Sequence, residues 1–340
     1  MFGRAGGSME NRQKTSHNTQ YHLEAHEKPS DGVRRMALEQ IDKALDLLAS
    51  PGHQIDDAIH DARVCFKKVR ALLRLVKPEI GVRRFKQENM RFREAGRRLS
   101  EVRDSAVVIE AFDKLTQSTD ALSGEDLREM RASLVRAEAT PIVQKKQAMS
   151  QVAACIASAR ESVADWPIEH KGFAALGPGL REVYRKGRAM LERARDDPTT
   201  ENLHELRKRV KDLGYQTRVL RPAWPGMLQE ISGEIKELGD NLSEHHDLSV
   251  LREAVLGVPG LQTKTEQTEE ILALINRRQW ELRFRAMPQG ERVYVEKPGA
   301  FTRRIRGYWE TWHQSLDEGG MKRPSRVAPV SKDAYQNPST

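Results

Sequence analysis

The sequence predicts an all-α fold built from antiparallel helical bundles in two similar halves. Three observations lead there. Nearly every segment between about residues 30 and 316 places apolar residues at helical i, i+3, i+4 spacing. No set of segments alternates apolar and polar residues as strands do; Val293-Tyr294-Val295 is too short to argue one. Finally, two motifs recur in order. IHDARVCFKKVRALLRLVKP (59–78) matches LHELRKRVKDLGYQTRVLRP (203–222) at an offset of 144, and LSEVRDSAVVIEAF (99–112) matches LSEHHDLSVLREAV (242–255) at an offset of 143. Such a long period means a duplicated half-domain and not a short-repeat solenoid.

Taken in order, residues 32–49 form a first helix with Val33, Met36, Ala37, Ile41, Ala44, Leu45 and Leu48 inward. SPGHQ breaks it, and Asp56 or Asp57 is placed to cap the next. That second helix has two faces. Ile59, Ala62, Cys65, Phe66, Val69, Leu72, Leu73 and Val76 share one arc; His60, Arg63, Lys67, Arg70, Arg74 and Lys77 share another, roughly 100° wide. Like charges at these spacings oppose helix formation, so the stripe needs an anion or solvation. Pro78 and Gly81 end it. Residues 82–117 read as a long basic helix or pair, bent near Gly96 or Asp104. Gly124 opens a loop, and 125–164 is helical with a break at Pro141. Trp166-Pro167 through Gly172 is the expected linker between the first bundle (29–165) and the second (172–318). Further helices fall at 173–195, 200–221, 226–256, 265–286 and 298–316. The polar ends, 1–28 and 319–340, are expected to be disordered.

The two motif helices, with their later Arg-Asp or His-Asp step (Arg103-Asp104, His246-Asp247) and the late stretch RVYVEKPGAFTRRIRGYW (292–309), resemble the CHAD domain, the conserved histidine α-helical domain. The resemblance rests on His60/Arg63 and His204/Arg207 and covers about residues 30–315. It implies two four-helix bundles related by an internal pseudo-twofold. It also implies binding of inorganic polyphosphate in a basic groove, with association to polyphosphate granules.

Charge supports an anionic partner. The 340 residues carry a net charge of +8, which favours polyanions. From 60 to 104 there are 14 Lys/Arg against 6 Asp/Glu; from 204 to 247 there are 7 against 8, with three histidines. The first repeat therefore supplies most of the field. The second half regains cations at Arg181, Arg185 and Arg188, on one helix face, and at Arg277, Arg278, Arg283 and Arg285. A helix with Arg or Lys every turn offers a phosphate chain a donor about every 5 Å. Arginine forks grip phosphate oxygens in pairs, and lysine adds a mobile point charge. The expected site is thus His60, Arg63, Lys67, Arg70, Arg74, Arg97, Arg103, Arg181, Arg185, Arg188, His204, Arg207, Lys208, Lys211, Tyr215, Arg218 and His246. The histidines are expected to be protonated beside an anion. Asp104 and Asp247 orient neighbours or cap helices, and Tyr215 shares the face of His204 and Lys211.

Competing classes have less behind them. There is no GxxxxGK[ST] loop, HExxH, CxxC or carboxylate cluster suited to magnesium, so the chain is expected to be non-enzymatic and without a cofactor. The E-x-E-x-K signature of the triphosphate-tunnel enzymes that accompany CHAD domains is absent as well. A divalent-metal site is conceivable from Asp56/His60 and Glu201/His204, but the surrounding arginines oppose it. Nucleic acid or another polyanion is the main alternative partner; against it, the stripes lack interleaved aromatics for base stacking. An acidic protein partner is a third. No apolar run of about 18 residues predicts a membrane span, and no apolar stretch near the N-terminus predicts secretion. Cys65 and Cys155 sit in apolar patterns and read as core thiols of the cytoplasm.

Overall fold

A computed structural model describes residues 20–50, 54–117, 123–138, 140–262 and 265–319. Twelve α-helices run in order: α1 (Pro29–Ala49), α2 (Ile55–Leu75), α3 (Lys77–Glu101), α4 (Asp104–Thr116), α5 (Gly124–Glu138), α6 (Ile142–Ala164), α7 (Gly177–Asp196), α8 (Thr200–Leu220), α9 (Pro225–Gly257), α10 (Pro259–Gln262), α11 (Thr265–Val293) and α12 (Pro298–Gly319). Short 3₁₀ turns at Gly172–Ala175 and Arg221–Ala223 complete the described residues, which contain no strand. The protein is all-α.

Local chemistry sets many of the boundaries. A proline lies in the first turn of α1, α3, α7 and α9, where its missing N–H costs nothing. Thr199 caps α8 by accepting from the Asn202 amide. Neither Asp56 nor Asp57 caps α2: Gln54 holds the cap position without a side-chain bond, and Asp56 is drawn away by the Lys145 ammonium at 2.7 Å. Gly81 kinks α3 at φ 77°, a left-handed conformation that only glycine takes cheaply. The basic segment then breaks at Val102 and Arg103, just before Asp104, while the matching segment of the second repeat runs unbroken through α9. Pro288 does not stop α11, which continues to Val293.

One main core joins α1, α2, α3 and α6 to α7, α8, α9 and α12. All eight apolar positions of the α2 arc are buried in it. The linker is part of it too, since Trp166 has no exposed surface. Gly179 lets the start of α7 approach the end of α2, for a Cβ there would lie 1.9 Å from the Leu75 carbonyl oxygen. A second core gathers α4, α5, α10 and the adjoining ends of α9 and α11 around Phe112, Met130 and Leu251.

Two expectations are corrected. Residues 20–28 are ordered: Leu23 is buried with its amide on the Val219 carbonyl, and the Tyr21 hydroxyl donates to the Lys68 carbonyl. Long-range pairing to α2 and α8 holds this polar stretch, which its composition does not reveal. The expected disorder of residues 1–19 and 320–340 lies outside the described residues. Cys65 is buried, but Cys155 is exposed; the inward stripe of α6 is Met149, Val152, Ile156, Ala159 and Val163, and Cys155 falls one residue off it. Both thiols are free. Among the described residues no helix is long and apolar enough to cross a membrane.

Candidate anion-binding cavity

The polar face of α2 opens onto a cavity of about 1860 Å³, walled by α2, α3 and α4 from the first repeat and by α7, α8, α9 and α11 from the second. Its lining carries sixteen Lys/Arg and eight Asp/Glu. The two walls differ. The first repeat contributes nine of the cations and, among the described side chains, one acid, Glu110; the second contributes seven of each. The asymmetry read along the sequence is therefore an asymmetry across the cavity.

The duplicated arginines sit alike. Arg63 donates to the Ser100 hydroxyl at 2.8 Å, and Arg207, its counterpart, donates to Ser243 at 3.0 Å. Both serines come from the LSE motif, so a helix of each repeat aims the guanidinium of its neighbour. Arg70 is held by Asn89 at 3.0 Å, and Arg74 bonds the Arg70 carbonyl while pairing with Asp212 at 3.0 Å. Near the same end, Glu182 binds Lys77 and Lys186. Burial pushes the Glu182 carboxyl up, but the bonds from Lys186 and Lys77 outweigh it and hold it at about 2. Lys211 bonds Asp240 at 3.1 Å, Lys208 pairs with Glu205, and Arg97 with Glu94 and Glu101.

Lys67 differs from these. No acidic side chain among the described residues pairs with it. Burial pushes its ammonium down to about 7, and Arg207, Arg63, Lys211 and Arg103 push the same way. Arg103 is itself buried, with Glu110 no nearer than 3.7 Å. The centre of the cavity is thus a cluster of cations drawn from both repeats, with Asp247 close enough to feel Arg207, Lys67 and Arg103.

The histidines gather here as well. His204 and His246 lie ring to ring with centroids 4.2 Å apart, and neither Nδ1 has a hydrogen-bond partner among the described residues. Burial lowers the pKa of His60, and Arg103 and Lys67 lower it further. Burial, Lys208 and Arg207 do the same to His204. His246 is taken to about 3 by burial, Arg207 and His204. Burial first, and then the neighbouring cations that repel a proton, hold these rings neutral. Asp247, on the same wall, is raised by burial against the pull of Arg207, Lys67 and Arg103. Tyr215 is half-buried at the rim, edge-on to Tyr21 at 6.2 Å.

Of the expected site residues, His60, Arg63, Lys67, Arg70, Arg74, Arg97, Arg103, His204, Arg207, Lys208, Lys211, Tyr215 and His246 line this cavity. Four do not. α7 turns Glu182, Val183 and Lys186 to the cavity, which leaves Arg181, Arg185 and Arg188 on other faces; Arg188 bonds the Glu296 carbonyl at 2.9 Å, and the Arg181 guanidinium lies near Gly299. Arg218 lines a separate, smaller cavity. Arg93, Lys114, Lys186 and Arg209 line the main cavity without having been singled out. The i, i+4 spacing of Arg93 and Arg97 on α3 was a usable signal; Lys114 had none, since its position depends on how α4 packs against α9.

The profile of the CHAD domain family matches residues 35–256. The chain belongs to the CHAD domain family. The match takes in both histidine–arginine helices and both serines that aim the arginines, and it stops short of α11, α12 and the late stretch at 292–309. No curated protein matches the chain. In this CHAD domain no group of three or more His, Cys, Asp or Glu is placed to hold a metal ion among the described residues. Of the two pairs considered for a metal, the first has its Asp56 engaged with Lys145, which is buried.

Proposed function

We propose that the cavity binds inorganic polyphosphate and that the protein acts by binding and not by catalysis. The observation that carries this reading is the placement of Lys67. It sits among Arg63, Arg103, Arg207 and Lys211, drawn from both repeats, and forms no ion pair with an acid among the described residues. A group of cations held together in a recess costs folding energy unless an anion enters. A flexible chain of phosphates suits a recess walled by seven helices. A DNA duplex, stiff over about 50 nm, meets such a cavity only at its edge. The partly exposed rings on the wall, Phe85 and Tyr215, are too few to stack successive bases of a single strand. Family membership supports the same ligand class.

The test is a titration with long-chain polyphosphate, duplex DNA and single-stranded RNA at matched phosphate concentration and salt. Preference for polyphosphate is expected. Equal affinity for all three makes the protein a general polyanion binder.

A further inference from the structure

The second cavity, about 410 Å³, lies between α2 and the adjoining parts of α8 and α9, under the ordered stretch Gln20–His22. Lys68, Arg218, Arg221 and Lys236 line it, and among the described residues no aspartate or glutamate does. Arg218 has no side-chain partner among the described residues, and Lys68 has no acidic one; its ammonium stands 5.2 Å over the Tyr21 ring. Arg221 is held only loosely, by Gln229 at 3.4 Å.

This cavity adjoins the first. Asp240, on the wall of the main cavity, bonds Lys211 there at 3.1 Å and Lys236 of the second cavity at 2.7 Å. Tyr215 of the main cavity packs against Tyr21 of the second. One carboxylate and one pair of rings thus link the linings of the two.

We infer that the second cavity is a phosphate-oxyanion subsite that receives phosphoryl groups of a polyphosphate chain extending beyond the main cavity. This rests on the function proposed above. Arg218 and Arg221 supply the guanidinium forks that grip phosphate oxygens in pairs, and Lys68 and Lys236 add point charges. The duplication adds to the argument. Arg218 and Arg221 match Arg74 and Lys77, which line the main cavity with acidic partners, whereas Arg218 and Arg221 face a recess lined by no acid among the described residues.

The experiment titrates long-chain polyphosphate and tripolyphosphate into the wild-type protein, Arg218→Ala with Arg221→Ala, and Lys146→Ala with Arg193→Ala. The last pair removes two exposed charges that line neither cavity. The expected result is a loss of about tenfold in long-chain affinity for the Arg218/Arg221 variant, with tripolyphosphate binding unchanged. Arg218→Glu, a single exposed substitution, should give the same pattern more strongly. Wild-type affinity for the long chain in both variants overturns the subsite, as does an equal loss in the Lys146/Arg193 control. Two tripolyphosphates bound to wild type and one to the variant would make the cavity an independent site for short phosphates and overturn the continuation. Failure of the wild-type protein to bind either form would instead refute the main-cavity reading itself.

Discussion

His204 and His246 face each other across 4.2 Å with both Nδ1 atoms unpartnered among the described residues, and both are held neutral by burial and by the arginine and lysine side chains around them. Two neutral rings beside a cluster of cations are a store of charge that an anion releases. A polyphosphate in the cavity favours the charged form of every such group, so each pKa is higher in the complex than in the empty protein.

The sign for pH follows from that difference. The complex holds more protons than the empty protein, so affinity rises as pH falls. Lys67 governs the basic limb, because its empty-state value is about 7. From about pH 7 to 9 affinity should fall, by at most about tenfold per unit for one proton. The histidines extend the rise below pH 7. Calorimetry in two buffers of different ionisation enthalpy should record proton uptake on binding. Lys67→Arg keeps its charge throughout and should flatten the basic limb. Affinity that stays constant between about pH 5 and 9 would contradict this account.

The walls of the cavity should respond unequally to substitution. Arg63→Ala with Lys67→Ala removes two cations from the wall that carries one described acid. At about 1.5–3 kcal/mol per charge-assisted contact, affinity for polyphosphate should drop on the order of a hundredfold or more. Arg207→Ala with Lys211→Ala should cost less, because the seven acids of that wall already offset its cations. Lys146→Ala with Arg193→Ala serves as the surface control; the neighbouring Lys145 is buried against Asp56 and unsuitable. Equal losses in all three variants would mean that net charge alone drives binding.

Salt tests the same electrostatics. Binding to a polyanion releases condensed counterions, and six to ten phosphate contacts lose on the order of 10³–10⁵ in affinity between 50 and 200 mM salt. A comparably steep fall is expected for polyphosphate. Affinity insensitive to salt would point to an uncharged ligand.

Packing makes its own prediction at Gly179. A methyl group there meets the Leu75 carbonyl at 1.9 Å, so Gly179→Ala must push α7 away from α2. A loss of about 2 kcal/mol or more is expected in urea unfolding. Polyphosphate affinity should fall as well, since α2 and α7 both wall the cavity. Wild-type stability in this variant would show that the two helices do not approach so closely.

The sequence by itself determined the helical class, the apolar arc of α2 and the cationic arc opposite it. Both arcs follow from the 3.6-residue period of one helix, so no tertiary knowledge is needed to place Val69 inward and Lys67 on the other face. The duplication likewise foretold that His60 and His204 would share a cavity, and the charge count foretold which wall would be the more basic. Tertiary structure decided the rest. Arg181, Arg185 and Arg188 form a face as regular as that of α2, yet the rotation of α7 in the packing turns Glu182 and Lys186 to the cavity instead. Arg218 occupies the position of Arg74 in the repeat, yet it lies in a different recess. Asp212, Asp240 and Glu182 neutralise lysines and arginines on other helices, and spacing along one chain carries no information about such partners. The histidines are neutral for the same reason: burial and neighbouring charge belong to the packed cavity, and neither is written in the period of a helix.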